Sequence, residues 1–299
     1  MEIDGIILSW HWSPFSLAAL LLFCLAYGLT LGLMHRRKPQ ERPIKRRQIA
    51  WFIAGVLIVA LFLFTPIDEV ARTQLFLAHM FQVVFIITFA VPCILFACPD
   101  WLFQPAFDWP ISRAVIKALT QPVVASVLFN GVFLFWHLPP VYDQTLLAQS
   151  AYLYHIMLWS LFLVSFLNWW PLIGPERQLH HMSHPAQIAF AFLDGEPMQI
   201  YAFIIVFSGV VVYPYTVPSQ LYSAFADQAS AGALLLLPGI VDWIVMSPLF
   251  FRWLRQMEEK AKKNDERLQL ILEARERAAL EEEEEDEEIS YQGAPGLAD

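Results

Sequence analysis

Residues 73–99 read TQLFLAHMFQVVFIITFAVPCILFACP, 27 residues without a single Asp, Glu, Lys or Arg. A helix needs ~20 apolar residues to cross the hydrocarbon core of a bilayer, so this stretch is long enough to span. Six more stretches meet the same test: Phe15–Met34, Ile49–Ile67, Leu119–Tyr142, Ala151–Ile173, Ala186–Tyr213 and Ala229–Phe251. The pattern predicts an all-α, polytopic membrane helix bundle of seven transmembrane helices. A membrane barrel would need short segments of alternating polarity instead.

Composition agrees. Of 299 residues, 57% are hydrophobic and 16% charged, against about 25% charged in soluble domains. Residues 252–299 hold 15 of the 28 acids and 8 of the 19 bases, so most of the net charge of −9 belongs to the end of the chain. This divides the sequence into a membrane domain (1–251), a charged cytoplasmic helix (252–280) and an acidic, disordered tail (281–299). The tail begins with eight consecutive acids, Glu281–Glu288, a composition that cannot bury a core. Glu2 and Asp4 precede a first apolar run too long for a signal-peptide core, so that run reads as a permanent span. The three cysteines, Cys24, Cys93 and Cys98, lie in apolar runs without a metal-binding spacing and read as packing residues.

Basic residues in short loops set orientation. Seven follow the first span, between Arg36 and Arg47; Arg113, Lys117 and Arg177 lie in two further alternate loops, and eight are in the tail. Only Arg72 falls on the other side, an 18-to-1 division. The N-terminus is therefore expected outside and the C-terminus in the cytoplasm. Trp and Tyr near the span ends, including Trp10, Trp12, Trp51, Trp109, Tyr213 and Tyr215, read as an interfacial belt.

Three consecutive spans carry one histidine each: His79, His137 and His155. An imidazole inside a spanning segment is costly and usually functional. Counted from the predicted outer ends, the three lie within about two helical turns in depth. Imidazoles that face one another there make a copper or zinc site; a haem would take a pair on facing helices. The competing reading for each is a core residue hydrogen-bonded to a backbone carbonyl. Gln82, one turn from His79 on the same face, is expected either to orient it or to hydrogen-bond a neighbouring helix. Asp143, just after Pro139-Pro140, is a further ligand or a partner for Arg72. Met80, about 100° round the helix from His79, and Met157, about 160° round from His155, do not share the face of their histidine and read as packing. Asp68 and Glu69 are expected either to collect cations or to face water. His180, His181 and His184 form a second cluster, read as an interfacial loop. Asp194-Gly195-Glu196 followed by Pro197 predicts a break in the sixth span, and Asp242 lies in the seventh.

Four segments together resemble one family. Residues 76–92 read FLAHMFQVVFIITFAVP, residues 136–143 WHLPPVYD, residues 154–171 YHIMLWSLFLVSFLNWWP and residues 226–232 ADQASAG. In this order on seven spans they are similar to the polytopic CtaG-type cytochrome c oxidase assembly factors of bacteria, over roughly residues 50–255. The Trp-His-x-Pro and Tyr-Asp pairing is the most specific piece. The resemblance implies a non-enzymatic role in the bacterial plasma membrane, serving maturation of a haem–copper oxidase at its copper-B centre. His79, His137 and His155 occupy the matching positions and are the implied copper ligands. The implied partners are oxidase subunit I or its assembly intermediate, a copper chaperone and the lipid bilayer, with no nucleic acid. The acidic tail and the Asp-Gly-Glu segment have no counterpart in that pattern. The rival expectations are a haem-binding electron carrier and a cation transporter running through Asp194, Glu196 and Asp242.

Overall fold

The computed structural model describes residues 2–3, 6–147, 151–175, 182–213, 215 and 223–292. Apart from a two-residue antiparallel pairing of β1 (Glu2–Ile3) with β2 (Ile6–Ile7), the described elements are helices. Six are long and apolar enough to cross a membrane, and a bent pair makes a seventh if it is counted as one span. The chain divides into two compact units, Met1–Ser247 and Pro248–Asp299.

The first unit begins with α1 (Pro14–Arg37) and α2 (Arg46–Phe64), followed by the short α3 (Pro66–Thr73). Pro14 and Pro66 each stand in a first helical turn, where a missing N–H costs nothing. The side chains of Ser13 and Thr65 cap the same turns by accepting from Ser16 N–H and Ile67 N–H, both at 3.3 Å.

Within the uncharged stretch 73–99, the span is Phe76–Ala97. It consists of α4 (Phe76–Val84), a π-helical turn (Phe85–Ala90) and α5 (Val91–Ala97). Pro92 explains how the π turn is held. In π geometry the N–H of residue 92 would bond the Ile87 carbonyl, but proline has none. The freed carbonyl instead accepts from Ser165 Oγ and Trp169 Nε1, each at 2.9 Å. This span is the bundle's axis, the most deeply buried of the six. α2 packs closely along it: a Cβ at Gly55 would lie 2.5 Å from Ile94 Cγ1 and 2.9 Å from the Ala90 carbonyl. Small residues permit such approach between membrane helices.

α6 (Gln104–Asp108) and α7 (Pro110–Leu119) precede α8 (Pro122–Trp136). α7 and α8 are bent by 65° relative to each other. Pro122 disfavours the helical region for the residue before it, and Gln121 is extended, with φ −62° and ψ 129°. The helix α8 therefore starts at Pro122, not Leu119, and ends one residue before His137. α9 (Pro139–Leu146) is short, and α10 (Ala151–Ile173) packs on α8, α5 and α9. α11 (His184–Phe207) runs unbroken through Gly195 and Pro197, which corrects the expected interruption at Asp194–Glu196. α12 (Ala224–Leu234) packs between α4 and α11.

α13 runs from Leu237 to Gln292. Its portion in the second unit is largely exposed as far as side chains are described, including Leu254, Met257, Leu268 and Ile271, with Leu249 and Trp253 half-buried. The helix includes Glu281–Glu288, which composition assigned to a disordered tail; glutamate is a good helix former, and a solvated helix need bury no core.

Candidate metal centre

His79 lies in the first turn of α4, and the acid that fixes this turn comes from far along the chain. Asp227 in α12 accepts from Phe76 N–H at 2.7 Å and Leu77 N–H at 3.0 Å. A carboxylate at a helix N-terminus satisfies free donors and opposes the positive end of the helix dipole. His137 is the residue that ends α8, and its backbone N–H still bonds the Phe133 carbonyl at 3.2 Å. The two helix ends meet, and Nε2 of His79 lies 3.3 Å from Nε2 of His137. Both residues are buried, at 0% and 1% exposure.

The hydrogen bonds around the pair fix where its protons are. The Phe62 carbonyl can only accept, so Gln82 Nε2 donates to it, at 2.6 Å, and to Asp68 Oδ1, at 2.7 Å. Gln82 Oε1 is then free to accept, and takes the Tyr154 hydroxyl proton at 2.6 Å. The Tyr154 oxygen in turn accepts from His79 Nδ1–H at 2.8 Å. On the other side the Phe133 carbonyl accepts from His137 Nδ1–H at 2.7 Å. Each neutral imidazole carries one proton. With both protons on Nδ1, two bare Nε2 lone pairs face each other.

Two such lone pairs repel unless something positive lies between them. Metal-binding histidines commonly donate the second N–H to a carbonyl or another oxygen, which fixes the tautomer and orients the ring. Ligands ~2.0–2.1 Å from one ion, with nitrogens 3.3 Å apart, subtend roughly 105–110° there, near the tetrahedral angle. The same spacing is too short for trans axial ligands of a haem iron, which at those bond lengths stand about 4 Å apart. The rings of Phe76, Phe133, Tyr142 and Tyr154, with centroids 4.3–5.9 Å from one or other imidazole, fill the space a macrocycle would need.

His155 takes a different place. It follows Tyr154 on α10, so it points about 100° away. Its Nε2 lies 3.8 Å from Asp68 Oδ2. Among the described residues no group of three or more His, Cys, Asp or Glu is placed to hold a metal ion. The expected trio is thus a pair, with the third histidine set beside an acid that reaches His79 through Gln82 and Tyr154. Gln82 acts on His79 through the Tyr154 hydroxyl, not directly. Asp68, expected in an outer loop to collect cations or to face water, is 1% exposed. Burial pushes its pKa up to about 7 against the lowering effects of the Gln82 hydrogen bond and Arg72. Asp143 makes no salt bridge among the described residues; Arg72 pairs with Glu69 at 2.6 Å. His180 and His181, and the side chain of Asp242, lie outside the described residues.

Tyrosines close the site, and the sequence reading missed them. Tyr142 stands beside both imidazoles, its ring centroid 5.0 Å from that of His79 and 5.9 Å from that of His137. Tyr215 donates to the Ala71 carbonyl at 2.7 Å, so the 2.6 Å bond between hydroxyls has Tyr142 as donor. Tyr213 donates to the His137 carbonyl and accepts from Tyr201, both at 2.5 Å. Tyr213 and Tyr215 are buried parts of this cluster, not interfacial anchors. Burial drives the pKa of Tyr142 well above the usual phenol range, so its hydroxyl keeps its proton.

Fold and site define a multi-pass helical membrane protein with a buried, proton-ordered histidine pair at one end of the bundle. The family model described as cytochrome c oxidase caa3 assembly factor (Caa3_CtaG) matches residues 25–256, and the chain belongs to that family. No curated protein and no solved structure matches the chain.

Proposed function

We propose that the protein holds copper as Cu(I) between Nε2 of His79 and Nε2 of His137 and passes it on during maturation of the copper-B centre of a haem–copper oxidase. The observation that carries this reading is the pair of buried Nε2 atoms that face each other at 3.3 Å. The family supplies the context, oxidase assembly. Imidazole is a good ligand for copper, and two imidazoles without a thiolate leave the ion available to a stronger acceptor. Both rings are buried, so loading and release require the tyrosines beside them to move.

In this reading α7 and α8 form one bent span and the bundle has seven. The 18-to-1 division of bases then puts the N-terminus and the histidine pair on the outer side of a bacterial plasma membrane and the C-terminus in the cytoplasm. Delivery from outside spares a charged ion the crossing. The partners are subunit I of the oxidase, or an assembly intermediate of it, and a copper chaperone that loads the site. The protein acts without catalysing a reaction.

The test has two parts. Purified protein should bind one Cu(I), and His79→Ala or His137→Ala should abolish binding. In cells, either variant should reach the membrane at normal levels while oxidase activity falls. Full oxidase activity in both variants, or copper binding retained in the double variant, would leave the histidines as core residues only.

A further inference from the structure

A second polar site lies elsewhere in the bundle, among helices that are otherwise apolar. It joins Asn130 of α8, Asn168 of α10 and Asp194 of α11. Asp194 is ten residues along α11 from His184, or ~15 Å, about half the thickness of a hydrocarbon core. Its carboxylate accepts from Asn168 Nδ2 at 2.5 Å through Oδ2, and from Asn130 Nδ2 at 3.3 Å through Oδ1. Asn130 Nδ2 also lies 3.0 Å from the Asp194 carbonyl. Among the described residues, Asp194 makes no salt bridge. An acid at this depth without a basic partner is expensive, and such residues usually mark an ion or proton site.

Three observations say what would offset that cost. First, Asp194, Asn168, Thr88 and Gln199 share the lining of a cavity of about 40 Å³ with the π-turn residue Ile87. That is room for at least one water-sized particle, which needs roughly 10–15 Å³ of such space. Second, with their nitrogens turned to the carboxylate, Asn130 and Asn168 each keep a buried side-chain oxygen that has no hydrogen-bond partner. The two residues are only 6% and 8% exposed. Third, the candidate ligand atoms are all oxygens and carry a single negative charge.

A proton on Asp194 would neutralise the charge but supply one donor for two lone amide oxygens. One small cation answers all three needs together. All-oxygen ligation selects a hard ion over a soft one such as Cu(I). A single carboxylate balances one positive charge, whereas a divalent ion would leave an uncompensated charge in the bundle. We propose that Asp194 and Asn168 form, on this cavity, a binding site for a hard monovalent cation of the size of Na⁺, with Asn130 holding Asp194 from α8. The ion ties α8, α10 and α11 together near the middle of the membrane, where bundles with ion sites place them. This site shares no residue with the histidine pair.

The experiment uses the full chain purified in detergent, with Na⁺ as the probe. The unfolding midpoint is measured at fixed pH and ionic strength as choline chloride is replaced by NaCl or KCl, and bound ²²Na⁺ is counted directly. Na⁺ should raise the midpoint saturably, because a ligand that binds only the folded state stabilises it by mass action. K⁺ should do so less. One ²²Na⁺ per chain should be retained and be displaced by unlabelled NaCl. Asp194→Asn should lose both responses, and Asn168→Ala should weaken both. His79→Ala should keep both, which separates this site from the copper reading. If Asp194→Asn does not fold, the wild-type ²²Na⁺ count and Asn168→Ala decide. A midpoint indifferent to Na⁺, a response that follows pH alone, or an undiminished response in Asp194→Asn or Asn168→Ala would overturn the proposal.

Discussion

Tyr154→Phe isolates the proton order of the histidine pair from its packing. The substitution removes one buried oxygen that accepts from His79 Nδ1–H at 2.8 Å and donates to Gln82 Oε1 at 2.6 Å. Two buried groups left unsatisfied would cost roughly 2–6 kcal/mol at ~1–3 kcal/mol each. His79 has a way out. Its proton can move to Nε2 and be donated to His137 Nε2, 3.3 Å away. That recovers one bond and leaves Gln82 Oε1 alone, so the net stability loss should be about 1–3 kcal/mol. The larger effect falls on the metal, because the lone pair that would bind it now carries a proton. Loss of such an orienting partner weakens metal affinity by about 10–100-fold. The assay is competition for Cu(I) against a chromophoric chelator, run beside thermal unfolding. Tyr142→Phe is the control. It loses the bond to Tyr215 and disturbs packing beside both imidazoles, yet leaves their tautomers alone. Its Cu(I) affinity should stay within about threefold of wild type, well inside the range expected for Tyr154→Phe. Unchanged affinity in Tyr154→Phe, or equal weakening in the two variants, would refute the argument that the tautomer matters.

Stability should also depend on Asp68. Its folded pKa, raised by burial to about 7 from the ordinary carboxyl value of 3.8, means that between these values the unfolded chain binds fewer protons than the folded one. The contribution of Asp68 to stability therefore falls as pH rises through that window, and Asp68→Asn should remove it, making the slope measured by unfolding across about pH 4–7 more positive than in the wild type. Gly55→Ala should destabilise by about 1–3 kcal/mol, because the added methyl meets Ile94 Cγ1 and the Ala90 carbonyl; an unchanged melting midpoint would show that α2 shifts without cost. Truncation after Leu280 should leave oxidase maturation intact, since the acids that follow can bury no core. Lost maturation at normal protein levels would make the tail a docking element.

Much of the bundle was legible because hydrophobic length is a one-dimensional signal. The stretch around His79 declared a span by itself, and depth along each helix followed by counting residues. The direction a side chain faces did not follow. Tyr154 and His155 are neighbours at nearly the same depth, and only 100° of helical rotation decides which one reaches His79. Counting favoured the histidine, whereas packing turned the tyrosine inward. Prolines were also read unevenly. Pro197 promised a break that α11 does not make. Pro92 lies in an apolar run that reads as continuous, yet its missing N–H frees a carbonyl that α10 takes up. A proline alters a helix according to what neighbouring helices offer the freed carbonyl, and that is set by the fold.

Long-range capping was hidden for a related reason. Asp227 lies in the short segment ADQASAG, where nothing local indicates that its carboxylate holds the first turn of α4, 150 residues earlier. Without that carboxylate, the Phe76 and Leu77 amides would compete for partners at the point where His79 must be placed. The same holds for Gln82, whose orientation is dictated by the Phe62 carbonyl and passed on through Tyr154. Residue type can nominate a histidine as a ligand. What makes its nitrogen free to bind is a chain of donors and acceptors that ends on backbone carbonyls of other helices, and that chain exists only once those helices are packed.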